Sequence, residues 1–252
     1  MVELVDTQVS GTCGSNPVGV RVPPSAFFSS QYEAAALQSA VNMQGADEVK
    51  KKGRVAVLLS GRGSNFEAIY QNSLKPNANF EVIAVISDKK DARGLERARE
   101  FGLKAFHVSP RKLKPKEVYE RKILEILKIH DTELICLAGY MRILGETLLS
   151  EYEGRIINIH PALLPSFPGL HGQKQALEYG VKISGCTVHF VNSGVDSGPI
   201  ILQKAVEVKE DDTEETLGQR ILKQEHQMFS KAVTLFFENR LQIQGRRVII
   251  LS

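Results

Sequence analysis

The chain has 252 residues, 42% hydrophobic and 24% charged, with no Trp and a formal net charge of +3. That length suits one globular domain, or one domain with an appendage. Lys and Arg are spread rather than gathered into the basic stripe of a nucleic-acid binder, no apolar run approaches the ~20 residues that cross a bilayer, and the N-terminus lacks a signal-peptide core. The expectation is a cytoplasmic protein that partners neither nucleic acid nor membrane.

Residues 1–52 read differently from the rest. "MVELVDTQVSGTCGSNPVGVRVPPSAFFSS" keeps no strand or helix period and is punctuated by Gly, Pro and Ser. "QYEAAALQSAVNMQGADEVKKK" suits at most one short helix before a basic run. The segment carries too little apolar surface to offset its ordering entropy, so a disordered extension is expected ahead of a domain spanning 53–252. "VRVP", Val20 to Pro23, is also encodable by a string resembling the T-arm of a tRNA gene. A second expectation is therefore a start misassigned upstream of Met43.

From Arg54 the pattern becomes regular. "RVAVLLS" is a continuous apolar strand, "SNFEAIYQNS" a helix, "FEVIAVISD" a second strand and "GLERAREFG" a helix closed by Gly102. "KAFHV" is a third strand, followed by the amphipathic helix "PKEVYERKILEILKIH". Then come the strand "ELICLAGY", the short helix "GETLLSEYE", the strand "GRIINIH" and the helix "HGQKQALEYG". "SGCTVHFV" and "GPIILQKAVEV" add two strands, "TEETLGQRILKQEHQMFSKAVTLFFEN" is a long final helix, and "RLQIQGRRVIIL" is a hairpin around Gln244-Gly245. Apolar strands alternating with helices predict an α/β, Rossmann-like fold: a mainly parallel sheet with helices on both faces and a C-terminal hairpin.

"GRGSN", Gly61 to Asn65, joins the first strand to the first helix. In a doubly wound sheet this turn sits at the carboxyl edge, where helix amides point outward. Two glycines let an anion approach the backbone, and Ser64 and Asn65 can cap the helix or donate to a phosphate. A dinucleotide fingerprint wants a third Gly where Phe66 stands, so Asp88 does not read as a ribose-binding acid and a single phosphate fits better. A tight turn that merely needs Gly is the competing reading.

"IINIHPALLPSFPGLHG" places an amide and an imidazole at a strand end, followed by a loop with three prolines. Strand alternation sends Asn158 and His160 to one face, toward the crevice where ligands bind in such folds. An amide donor and a titratable ring are the outfit for stabilising an oxyanion and moving a proton. Asp196, in the Gly-rich turn "NSGVDSGP", is expected at the same edge of the sheet. It would hold the imidazole in one tautomer, stabilise its cation or position a water, although Asp is also ordinary turn chemistry. Cys13, Cys136 and Cys186 lack metal-ligand spacing, and Cys136 reads as a buried reduced thiol, so no metal site is expected.

The motifs "LLSGRGSN", "LAGYMRIL", "INIHPALLPSFPGLHG", "GCTVHFV", "VDSGPIILQ" and "KQEH" together resemble the phosphoribosylglycinamide formyltransferases, folate-dependent enzymes of purine biosynthesis. The resemblance runs from Arg54 to the last residue. It implies a formyl transferase N-terminal-type fold, acting as monomer or homodimer on glycinamide ribonucleotide with 10-formyltetrahydrofolate as formyl-donor cosubstrate. It implies catalytic roles for Asn158, His160 and Asp196, with Asn158 and protonated His160 stabilising an oxyanion and Asp196 relaying a proton. Gly63, Ser64 and Asn65 would bind the substrate phosphate and Glu225 the ribose. Met141, Arg142, Ile143 and Leu144, with Asn192, Ser193, Gly194 and Val195 and with Asn158, would line the folate pocket. Lys116 stands where members often carry a folate-contacting Arg, and Thr187 where a hydroxyl helps hold a water near Asp196.

Relatives share the Asn-x-His plus Asp core. Formyltetrahydrofolate deformylase is the alternative, but it resembles this chain only with an N-terminal regulatory domain for which residues 1–52 are too short and irregular. Methionyl-tRNA formyltransferase adds an RNA-binding barrel and reads "RWRG"-like where this chain has "SFPGLHG". A nicotinamide-binding or ligand-sensing Rossmann protein would explain "GRGSN" and leave the trio without a purpose.

Overall fold

Strand β1 (Gly53–Leu59) is buried along nearly its whole length, and its alternation sorts the core into two layers. Val55, Val57 and Leu59 pack on one side with residues of α1 (Ser64–Ser73), α2 (Arg93–Glu100) and α6 (Glu214–Phe237). Ala56 and Leu58 pack on the other with α3 (Lys116–Ile129) and α4 (Glu146–Glu151). A strand covered on both faces needs apolar side chains of both parities, which is why β1 reads as an unbroken run. The computed structural model describes residues 51–252, so the expected extension, up to residue 50, lies outside the described residues. No helix among the described residues is long and apolar enough to cross a membrane.

The remaining strands are β2 (Phe80–Ser87), β3 (Lys104–His107), β4 (Leu134–Leu137), β5 (Ile156–His160), β6 (Ile183–Phe190), β7 (Ile200–Glu207), β8 (Leu241–Gln244) and β9 (Arg247–Ile250). They form one sheet in the order β3-β2-β1-β4-β5-β6-β7-β9-β8. This is the α/β, Rossmann-like, mainly parallel sheet expected from the alternation of strands and helices. All pairings from β3 to β5 are parallel. Beyond β5 the sheet turns antiparallel, β6 to β5 and β7 to β6, a change of direction on which the sequence reading was silent. The link between β6 and β7, residues 191–199, is too short for a crossover helix, so the chain turns back instead. β8 and β9 form the expected hairpin, its turn at Gly245 and Arg246, one residue later than Gln244-Gly245.

Helix α5 (Gly172–Tyr179) follows β5, and α6 is started by a reciprocal cap. The Thr213 hydroxyl accepts from Thr216 N–H at 3.2 Å, and the Thr216 hydroxyl accepts from Thr213 N–H at 3.0 Å. Strand order reverses between β1 and β4, and the loops after those two strands are tied there. Ser60 N–H donates to the Gly139 carbonyl at 3.0 Å, and Met141 N–H donates to Ser60 Oγ at 2.9 Å. A switch point of this kind opens a crevice at the carboxyl edge.

Candidate active site

In β5, Ile157 and Ile159 enter the layer under α6, which turns Asn158 and His160 to the α3 side. Their cross-strand partners on β6 are His189 and Thr187, so four polar side chains share one patch of an otherwise apolar sheet. His160 is 4% exposed. Its Nδ1 lies 3.2 Å from Asp196 Oδ2, and its Nε2 lies 2.8 Å from the Phe167 carbonyl. Both neighbours are acceptors, and only the doubly protonated ring satisfies both. Burial is the largest influence and holds the imidazole below its ordinary range, while Asp196 and the Phe167 carbonyl pull it upward.

Asp196 is brought in differently from the expectation. Val191 N–H donates to the Ile156 carbonyl, so the loop after β6 leaves beside the amino end of β5, not its carboxyl edge. The antiparallel direction of β6 is the reason. The loop arches back across the sheet face, and Asp196, at φ 45°, faces His160 and Asn158 from above. Its Oδ2 also accepts from Gly169 N–H at 2.8 Å, which ties the proline-containing loop to the acid. Burial pushes this carboxyl up, but His189, the Gly169 N–H and His160 outweigh it and leave Asp196 below the usual carboxylate range.

His189 was not among the residues singled out in the sequence. Its Nδ1 donates to the Phe190 carbonyl at 2.8 Å, and its Nε2 stands 3.2 Å from Asn158 Nδ2 and 3.6 Å from Asp196 Oδ1: a neutral ring accepts there from the amide, a charged one donates to the acid. The contact with the neutral ring fixes which end of the Asn158 amide carries hydrogens. The second amide hydrogen points to Asp196 Oδ1 at 3.4 Å, a long bond easily exchanged for a better acceptor. The only signal in the sequence was a His breaking the apolar run "GCTVHFV".

Thr187 departs from its expected place beside a water. Its hydroxyl donates to the Ala162 carbonyl at 2.7 Å and accepts from Leu164 N–H and Gln203 Nε2, each at 3.0 Å. One donor and two acceptor sites are then all used, and the residue is fully buried. Thr187 and Gln203, also missed in the sequence, pin the loop after His160 to β6 and β7.

The turn at Gly61–Asn65 meets α6 rather than the trio. Asn65 Nδ2 donates to Glu225 Oε2 at 2.8 Å, and both residues are buried while Asn65 Oδ1 has no partner. Burial pushes the Glu225 carboxyl above its ordinary range, with Asn65 opposing. Gly63 caps α1 at φ 83°, and a Cβ there would stand 2.7 Å from Gly94 Cα. Close packing of the turn on α2 alone therefore demands this glycine. No side chain caps α1, so the amide groups of its first turn stay available to an anion beside Ser64.

Of the residues expected to line a folate pocket, Met141, Ile143 and Val195 expose 61%, 64% and 51% of their surface. Leu144 does not join them: it is buried with α3 and α4 side chains. Asn192 accepts from Gly194 N–H at 3.1 Å and Ser197 Oγ at 2.9 Å, folding residues 192–197, Ser193 among them, into a tight turn. Arg142 lies over the Tyr119 ring at 5.2 Å. Together with Lys114, Lys116 and Leu113 these two line an open cleft of about 630 Å³. Leu113, Pro110 and Pro115 beside the cations Lys114, Lys116 and Arg142 make this cleft fit for a flat ligand with an anionic tail. Cys136 and Cys186 are fully buried, and burial, with Glu225 adding to it, pushes the Cys186 thiol up to about 12. Neither is a nucleophile.

A family model described as formyl transferase matches residues 53–233. The chain belongs to the formyl transferase family. Within that family it is 47% identical over 180 residues to the phosphoribosylglycinamide formyltransferase of Bacillus subtilis (strain 168), covering 71% of this chain and 92% of that one. Among solved structures, glycinamide ribonucleotide transformylase 1 from Symbiobacterium toebii superposes with a TM-score of 0.78 at 50% identity, covering 80% of this chain and 95% of that one. A formyltetrahydrofolate deformylase from Pseudomonas syringae superposes with a TM-score of 0.73 at 26% identity, covering 80% of this chain and 67% of that one. The likeness named from the sequence motifs is borne out, and among these formyl transferases the identity is far higher to the phosphoribosylglycinamide enzymes.

Proposed function

We propose that the protein transfers the formyl group of 10-formyltetrahydrofolate to the amine of glycinamide ribonucleotide, a step of purine (IMP) biosynthesis. The observation that carries this reading is the convergence of Asn158 and His160, from strand β5, with Asp196, from the loop after β6, on one point. The uncharged amine attacks the formyl carbon, and a C–N bond forms as the carbonyl electron pair moves to oxygen. Asn158 Nδ2 gives up its long bond to Asp196, and the His160 imidazolium gives up the Phe167 carbonyl, so that both donate to that oxygen; one such donor is worth ~2.7–4 kcal/mol of barrier. Collapse breaks the bond to the folate nitrogen, and Asp196, through water, takes the amine proton and passes it there. Ser64, Asn65 and the open end of α1 hold the phosphate, Glu225 the ribose, and Met141, Ile143, Val195 and Lys116 the folate. No step calls for a metal ion.

The test mixes purified protein with 10-formyltetrahydrofolate, with and without glycinamide ribonucleotide. Release of tetrahydrofolate that depends on the ribonucleotide is expected. Equal release without it would make the protein a deformylase, and no release in either case would overturn both readings.

A further inference from the structure

Helix α3 grips the loop after β4 at both ends. At the start of the loop the Tyr140 hydroxyl is hydrogen-bonded to the hydroxyl of Tyr119, and both residues are buried. At its end Gly145 N–H donates to Glu120 Oε1 at 2.5 Å. Between them lies the stretch Met141–Leu144, with Arg142 stacked over Tyr119. Glu120 is 2% exposed, and its one cationic neighbour is Lys116 Nζ at 3.8 Å, one helical turn back. A Cβ on Gly145 would stand 2.8 and 3.0 Å from the two Glu120 oxygens and 3.0 Å from Lys116 Cε. Gly145, Glu120 and Lys116 thus fit together with no room to spare.

A buried carboxylate is a costly way to hold a loop, since an apolar residue of like size would serve packing as well. Its geometry gives it a second task. One carboxylate oxygen, Oε1, faces both the loop backbone and the Lys116 ammonium, and these two elements flank the same cleft. We infer that Glu120 is a positioning residue for the formyl donor, setting the Met141–Leu144 loop and the Lys116 cation in register with each other. This rests on the proposed function, which gives loop and cation their common ligand. Glu120 touches no reacting atom. Its influence falls on donor binding and not on the amine substrate, whose phosphate and ribose residues lie on the α1 and α6 side.

The experiment compares wild type with Glu120→Gln and with Gly145→Ala, which crowds the same contact from the other partner. Each is measured for the Kd of a 10-formyl folate analogue by titration calorimetry and for the KM of both substrates. In Glu120→Gln the amide still accepts from Gly145 N–H but loses its attraction for Lys116, and in Gly145→Ala the added methyl forces the contact apart, so loop and cation lose register and donor binding weakens about tenfold. The Kd and KM for the donor are expected to rise by about that factor, while the KM for glycinamide ribonucleotide stays within twofold. A structural staple alone would lower the melting midpoint and leave both constants of the folded fraction unchanged, and that result would overturn the inference. If Glu120→Gln fails to fold, Gly145→Ala decides by the same two constants. Wild type with no measurable folate affinity would sink the proposed function and this inference with it. Wild-type affinity that both variants retain would sink this inference alone.

Discussion

His160 meets Asp196 through Nδ1 at 3.2 Å, while its other ring nitrogen is already turned to a main-chain carbonyl. A neutral imidazole leaves one of these acceptors facing a lone pair, so the pocket is shaped for the cation that burial disfavours. The ionised carboxylate is the strongest pull toward the cation, against a burial that still holds the ring below its ordinary range.

Asp196→Asn keeps shape and removes that charge. The expected loss is ~10²–10⁴-fold in kcat, with KM for both substrates within a few fold, because the interaction belongs to the transition state. His160→Ala should be equally severe. The double variant should lose far less than the product of the two, as residues acting as one unit do. Steady-state kcat at saturating substrates checks this, and full multiplicativity would break the relay.

His189→Leu tests the amide orientation. Without Nε2 to accept from Asn158, the amide is free to rotate its oxygen toward the reacting carbonyl. A fall in kcat of about tenfold is expected, smaller than that of Asn158→Ala because a correctly turned amide is still sampled. An unchanged kcat would reduce His189 to a buried structural ring.

Much of this was legible in the sequence, and the rest was hidden for definite reasons. The strand and helix order followed from apolar runs broken by Gly and Pro, and helix α1 begins and ends as read, at Ser64 and Ser73. Asn158 and His160 stood out because strand alternation alone puts them on one face. The reversal at β6 was hidden because an antiparallel strand buried on both sides has the same apolar text as a parallel one. Thr187 was given a water only by resemblance, and its actual partners, from residues 162, 164 and 203, are not advertised by a hydroxyl in a strand. The Asn65–Glu225 bond joins two helices far apart in the chain, and only the fold brings them together.

The Gly61–Asn65 turn, proposed to hold the phosphate, needs a different probe from its glycine. Gly63→Ala would force a side chain into left-handed backbone, at roughly 1–2 kcal/mol, and against Gly94. A melting midpoint lower by at least ~2–4 °C is expected, whatever the turn binds. Ser64→Ala removes only a hydroxyl beside the open helix end. It should raise the KM for glycinamide ribonucleotide several-fold with the midpoint unchanged, and equal KM values would take the phosphate elsewhere.

Glu225 predicts a pH-dependent trade. Burial raises its pKa above the ordinary 4.5, so the fold favours the protonated acid. That preference stabilises fully below about 4.5 and is lost as pH climbs through the raised value. Glu225→Gln should therefore raise the melting midpoint at pH 8 and make no difference at pH 4, while weakening ribonucleotide binding. Thermal scans at the two pH values decide it, and a lower midpoint at pH 8 would mean the carboxylate is better paired than its burial implies.

The loop that delivers Asp196 springs from the far end of β5, and this sets an order of assembly. A chain folded only as far as β5 already has its anion turn, its amide and its imidazole, all on the parallel half of the sheet. It has no carboxylate until β6 has turned back along β5 and β7 has closed the loop. During synthesis the amino-terminal elements emerge first. Chemical competence then waits on residues 183–207, and a chain stopped short of them would carry the turn, the amide and the imidazole without the acid that completes them.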